Sequence, residues 1–201
     1  MKEKILNSAM DLIKNNGDYS ETALEEIKYG LEGLYLTITK LVVIGLIALL
    51  LGILKEVVIF ILIYNIIRMP SFGLHATKSW ICLLSSSLIF VGVPLICKYV
   101  YIPLYLKSIL GIILLLSFYK NAPADTKKRP IINPKRRLFY KYASVLVVIL
   151  FIYLSIFINN NFISNCFILS ITVQSFMISP LIYKLFKLPY NNYLNYINEA
   201  I

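Results

Sequence analysis

Four stretches of the chain run almost free of charge: LVVIGLIALLLGIL at 41–54, WICLLSSSLIFVGVPLIC at 80–97, YASVLVVILFIYLSIFI at 142–158 and FISNCFILSITVQSFMISPLIY at 162–183. A bilayer core takes about 20 apolar residues as a helix, within a range of about 17 to 25. Three of the runs reach that range, and the run at 41–54 reaches it when extended back through 34–40. Apolar segments are predicted at 34–54, 56–67, 79–97, 99–118, 142–158 and 162–183. The second is short for a span, so residues 41–67 are read either as two crossings or as a re-entrant hairpin. The fold class is therefore all-α: a polytopic membrane protein with about six transmembrane segments, or four full spans plus a re-entrant pair.

Ahead of the first span, Ile5, Leu6, Ala9, Leu12 and Ile13 recur at helical spacing. They predict an amphipathic helix that ends near Asn15-Asn16-Gly17-Asp18, with a second helix starting at Ser20-Glu21 and running into the first span. Such a helix either caps the cytoplasmic face or docks a partner at the membrane surface. The organisation predicted is a cytoplasmic helical segment at 1–33, a transmembrane catalytic domain at 34–183 and a cytoplasmic tail at 184–201. The first thirty residues carry charges throughout, which argues against a cleaved signal peptide.

Composition agrees: 59% of the 201 residues are hydrophobic, above the half expected of a soluble domain. The net charge of +10 is read as cytoplasmic-loop lysine and arginine, not as a nucleic-acid surface. Eight of the twenty basic residues fall in 119–141, so that loop and both termini are predicted to be cytoplasmic. Lys107 lies inside the fourth segment and should snorkel or face a polar interior. Three cysteines without a CxxC pair argue against a disulfide framework or zinc site, and the single histidine excludes any metal site needing two within the chain. No metal or other cofactor is expected.

The chemistry concentrates in Arg68-Met69-Pro70-Ser71-Phe72-Gly73-Leu74-His75-Ala76-Thr77-Lys78-Ser79-Trp80-Ile81-Cys82. It joins two apolar runs and holds the only histidine, with a cysteine seven residues later. A thiolate activated by a neighbouring base is a good acyl-transfer nucleophile. On one straight helix, His75 and Cys82 would share a face yet stand about 10.5 Å apart along the axis. Direct contact therefore needs His75 in a turn that folds back, which Pro70 and Gly73 permit by breaking the helix before the histidine. A second stretch, Asn121-Ala122-Pro123-Ala124-Asp125-Thr126-Lys127-Lys128-Arg129-Pro130-Ile131, is read either as a plain basic loop or as a polar lip beside the site. On the second reading Asp125 is available to orient His75, and Lys127, Lys128 and Arg129 to hold an acidic peptide. Arg68 is either a positive-inside anchor or a partner for Asp125 or for a substrate carboxylate.

Taken together these stretches resemble the accessory gene regulator B (AgrB) family, membrane cysteine endopeptidases of Gram-positive quorum-sensing systems. Arg68, Gly73, His75, Ala76 and Cys82 match the family's Arg…Gly-Gly-x-His-Ala…Cys spacing, and Ala122-Pro123-Ala124-Asp125-Thr126 with Pro130-Ile131 match its later A-P-x-D-T-x-x-x-P-I pattern. Phe72 departs from it, standing where the family usually has the first glycine. The resemblance implies that Cys82 and His75 are catalytic, with Arg68, Gly73 and Asp125 in support. It implies cleavage of an AgrD-type precursor peptide through an acyl-enzyme thioester, then ring closure to a thiolactone or lactone signal. It also implies a Gram-positive cell membrane with the active site on the cytoplasmic side. A homodimer is compatible with the sequence, which does not fix the oligomeric state. The competing reading is a small transporter or channel, which calls for buried charges in several spans and often an internal repeat. Only Lys107 clearly meets the first requirement, and no repeat is visible.

Overall fold

The computed structural model describes residues 2–17, 19–74, 79–126 and 130–198. Among them there are only helices, turns and isolated bridges. Two compact units divide at residues 47 and 48, inside one long helix.

The first unit begins with α1 (Lys2–Asn15), whose predicted stripe is split. Leu6 and Met10 are buried, one turn apart, while Ile5 and Leu12 are exposed. Then α2 (Glu21–Leu50) runs 30 residues without a break. Ser20 starts it: its Oγ accepts from the Ala23 N–H at 3.3 Å, as an N-cap should.

The second unit is an up-and-down bundle built on α3 (Leu54–Ser71), α4 (Ser79–Tyr99), α5 (Leu104–Asn121), α6 (Pro134–Phe157) and α7 (Asn161–Ile178). The short helices α8 (Pro180–Leu185) and α9 (Tyr193–Asn198) follow. Among the described residues five helices, α2 and α4–α7, are long and apolar enough to cross a membrane. In α3, Lys55, Glu56 and Arg68 add charge near the two ends, yet its 18 residues span about 27 Å, close to the thickness of a hydrocarbon core.

Several boundaries differ from the apolar runs, each for a local reason. Polar ends extend α3 beyond 56–67, and the helix passes through Pro70 to break only at Phe72-Gly73. Pro103 delays the start of α5 to Leu104, five residues after the apolar run begins. By contrast α6 starts eight residues early, because Asn133 Oδ1 accepts from the Lys135 and Arg136 N–H groups and Pro134 fits the first turn. The last run divides at Ser179, where Pro180 ends α7 and opens α8.

The bundle interior is small, aromatic and partly polar, while much of its outer surface is leucine and isoleucine. Ser164, Ile168, Ile171, Gln174 and Ile178 form the inward stripe of α7 at helical spacing. Phe60, Tyr64 and Phe90 pack ring against ring, and Phe151 meets Phe167 edge-on. Polar side chains inside a lipid-facing bundle act as interhelical ties. Lys107 is one: it is buried, and its Nζ donates to Ser164 Oγ at 2.6 Å. That Ser164 hydroxyl donates in turn to the Ser155 carbonyl. Nearby, Asn165 donates to the Cys97 and Val100 carbonyls. These ties close the end of the bundle at which α5 and α7 begin and α4 and α6 finish, together with a 2.7 Å ion pair between Lys98 and Glu56. The opposite end holds the candidate site.

Candidate functional site

Three connections converge at that end: the turn after α3, the loop after α5 and the segment after α7. The turn after α3 is the tightest. Phe72 has φ 56° and Gly73 φ 105°, both in the left-handed half of backbone space. A non-glycine residue there costs about 1–3 kcal/mol and persists only when its surroundings hold it. Glycine at 73 is required twice over, by φ and by space. A Cβ there would lie 2.7 Å from the Met177 carbonyl oxygen and 2.8 Å from Arg68 Nη1.

The surroundings hold the turn through nearly every backbone group. Gly73 N–H donates to the Ala124 carbonyl at 2.8 Å, and Ala124 N–H returns a bond to the Ser71 carbonyl at 3.1 Å, forming a parallel bridge between the two motif stretches. Leu74 N–H donates to the Met177 carbonyl at 3.0 Å. Arg68 Nη2 donates to the Leu74 carbonyl at 2.9 Å and the Gly73 carbonyl at 3.4 Å, while its Nη1 reaches Gln174 Oε1 at 3.3 Å. The Gln174 amide donates to the Phe72 carbonyl at 2.7 Å and to Ser71 Oγ at 2.6 Å. Arg68 thus spends its planar fork on the carbonyls of the turn, not on Asp125.

Asp125 is buried, and its carboxylate ties the loop to the segment near the C-terminus. Oδ1 accepts from the Asn192 N–H at 2.9 Å; Oδ2 accepts from the Tyr193 N–H at 2.9 Å and the Ile131 N–H at 3.4 Å. The segment after α7 is strapped over the loop by further contacts. Tyr183 O–H donates to the Asp125 carbonyl at 3.0 Å, Tyr190 packs edge-on against Tyr183, and the Arg137 guanidinium lies 3.3 Å above the Tyr193 ring. Burial pushes the Tyr183 hydroxyl above its ordinary value, against the opposing pull of the Arg68 guanidinium. Burial likewise raises Tyr190. Both shifts favour the protonated phenol, the form in which Tyr183 donates to the Asp125 carbonyl and Tyr190 to the Asn121 carbonyl at 3.4 Å.

Cys82 stands in the first turn of α4, partly exposed. Cys97 and Cys166 are buried inside the bundle. Of the residues singled out from the sequence, Arg68, Gly73 and the backbone of Asp125's loop come together around one turn. His75 and the basic trio Lys127, Lys128 and Arg129 lie outside the described residues. Sequence reasoning missed Gln174, Ser71, Tyr64, Tyr183 and Asn192. A signal existed for Gln174, an amide within a long, largely apolar run, since such a residue in a membrane helix usually finds an interior partner.

The fold and its site-bearing end define a multi-pass, all-helical membrane protein. Residues 6–178 match the model of accessory gene regulator B, and the chain belongs to the AgrB family. Relatives named as AgrB-like proteins include one from Clostridium acetobutylicum, 31% identical over 173 residues, covering 86% of this chain and 83% of its own. One from Listeria monocytogenes serovar 1/2a is 34% identical, covering 85% and 84%. Another, from Lactiplantibacillus plantarum, is 26% identical, covering 77% and 78%. No solved structure matches. Membership supports a role for the chain in peptide processing within the agr quorum-sensing system.

The geometry at Gly73 yields a direct expectation. Gly73→Ala should destabilise the turn by about 1–3 kcal/mol, because it adds a strained φ to a close approach on backbone. Thermal unfolding in detergent measures the loss. An alanine variant as stable as wild type would mean that the turn adopts another path.

Proposed function

We propose that the chain is a membrane cysteine endopeptidase that cleaves an AgrD-type precursor and promotes its cyclisation. Cys82 Sγ attacks the scissile carbonyl while His75 accepts the thiol proton; His75 then returns a proton to the departing amine. The product is a thioester between Cys82 and the new C-terminus of the precursor. A cysteine thiol (or serine hydroxyl) within the precursor attacks that thioester, and Cys82 leaves as the thiol. The ring so formed is a thiolactone or lactone. Thioester-to-thiolactone exchange is close to energy-neutral, so the energy of the acyl linkage is carried into the ring. The observation that best supports the reading is exposure: of three cysteines, only the one in the family motif can be reached. Arg68 and Gly73 act in support by holding the backbone that leads into His75.

The test uses Cys82→Ala and His75→Ala proteins co-expressed with an AgrD-type precursor from the chromosomal neighbourhood of this gene. Both should lose processing by at least about 100-fold, and wild type should carry a mass-detectable, hydroxylamine-sensitive adduct at Cys82. Undiminished processing by Cys82→Ala would remove the cysteine mechanism and return the transporter reading.

Orientation follows the charge pattern. The 119–141 loop and both termini are inferred to be cytoplasmic. A cysteine placed at position 132 should react with a membrane-impermeant maleimide only after the cells are opened. Labelling in intact cells would invert the topology.

Lys127, Lys128 and Arg129 are inferred to hold an acidic part of the precursor. A single ion pair at a water-facing surface contributes less than about 1 kcal/mol and is screened by salt. Replacing all three with glutamine should therefore raise KM more than it lowers kcat at low salt, with the difference from wild type shrinking as salt rises. Equal KM at every salt concentration would leave the trio to topology alone.

A further inference from the structure

Gln174 sits near the end of α7 with no exposed surface, and its amide is saturated. A primary amide offers two acceptor sites and two N–H donors. Oε1 accepts from Tyr64 O–H at 2.9 Å and Arg68 Nη1 at 3.3 Å. Nε2 donates to Ser71 Oγ at 2.6 Å and the Phe72 carbonyl at 2.7 Å. All four partners belong to α3 or to the first residue beyond it. The partners also fix which way the amide points: its oxygen must face the two donors, and its nitrogen must face the Phe72 carbonyl.

The turn depends on this amide in two ways. Phe72 holds an unfavourable φ, and the Gln174 N–H is the donor that takes its carbonyl. The next two carbonyls, of Gly73 and Leu74, go to Arg68 Nη2, and the other terminal nitrogen of that guanidinium rests on Gln174 Oε1. One side chain thus controls three consecutive carbonyls, one directly and two through Arg68. The residue after Leu74 is His75.

We propose that Gln174 is a positioning residue for the Cys82 and His75 chemistry. It sets the path of the backbone into His75 through the Phe72 carbonyl and Arg68, without touching the reacting atoms. The proposal rests on the peptidase reading above. The competing role is a plain interhelical tie between α7 and α3, and the two differ in what a near-isosteric change does.

Gln174→Glu keeps acceptors for Tyr64 and Arg68 and adds a charge partner for the guanidinium, so it keeps the acceptor half of the tie and gives up the donation to Ser71 Oγ. It loses the N–H that holds the Phe72 carbonyl and sets oxygen against oxygen there. Gln174→Leu loses all four bonds. The readout is the rate at which iodoacetamide alkylates Cys82 in the full-length protein in detergent, followed across pH by peptide mass mapping. This readout needs no precursor, and the burial of the other two cysteines keeps it selective. His75→Ala is the reference, and thermal unfolding is measured on every variant.

Wild type should show a histidine-dependent arm near neutral pH that His75→Ala lacks. Gln174→Glu should lose that arm as well, with a rate about 100-fold lower at neutral pH, the modest end of a general-base contribution. At high pH, where hydroxide replaces the histidine, its rate should equal wild type even where the lost bonds lower its unfolding midpoint. A wild-type profile in Gln174→Glu alongside a lost arm in His75→Ala overturns the proposal and leaves the peptidase reading standing. A His75→Ala profile identical to wild type removes the histidine–cysteine pair, and the proposal with it. If Gln174→Leu fails to fold, the glutamate variant alone decides.

Discussion

The hydrogen bond from the Gln174 amide to the Phe72 carbonyl marks the constraint on which the site end depends. A helix that stops inside a membrane protein leaves carbonyls with no helical partner, and lipid supplies no donors. The end of α3 meets this demand from three directions. Ala124 takes the Ser71 carbonyl, Gln174 takes that of Phe72, and Arg68 folds back onto those of Gly73 and Leu74. An arginine half-buried at this turn satisfies its own donors as it satisfies the backbone. Its position at the end of an apolar segment, which alone suggests an interfacial anchor, is equally that of a clamp on the chain that leaves the helix.

The same demand is met differently at the opposite end of the bundle. There the connections are short, and the polar groups tie helix to helix: Lys107 to Ser164, Ser164 to Ser155, Asn165 to Cys97 and Val100. A buried lysine in a span reads as a functional group by default. Here its hydroxyl partner lies on α7, and the acceptor beyond that lies on α6, so Lys107 joins three helices. A bundle locked at one end can leave long connections at the other without losing its register.

What the sequence made legible follows from where the physics is local. The crossing helices were readable because about 20 apolar residues leave few alternatives in lipid. Their ends were less so: the early start of α6 was hidden by lysines and arginines on its first turns, and its signal is the Asn133-Pro134 cap. Proline misled at position 70, where loss of one N–H in a last turn is tolerated, and the break waits for Phe72-Gly73. Within the first motif, Cys82, Arg68 and Gly73 stood out by spacing along one stretch. Gln174 and Tyr183 did not, because their partners are 102 and 58 residues away in the chain and nothing in a one-dimensional pattern joins them.

The two motif stretches gain a single physical meaning from the bridge at Phe72 and Ala124. Ala124 has no exposed surface, and both its backbone groups are spent on α3 and its turn, so a larger side chain there would push the two stretches apart. The next residue, Asp125, turns the other way and gathers the Ile131, Asn192 and Tyr193 N–H groups on one carboxylate. The result is a chain of dependence. The segment after α7 holds Asp125, Asp125 seats Ala124, Ala124 pairs with Gly73, and Gly73 fixes where the peptide emerges toward His75. Hydrogen bonds to a charged acceptor are worth about 1.5–3 kcal/mol each, against about 1 for a neutral pair. An aspartate at 125, where asparagine would offer one acceptor oxygen in place of two, is therefore explained by the strap it anchors.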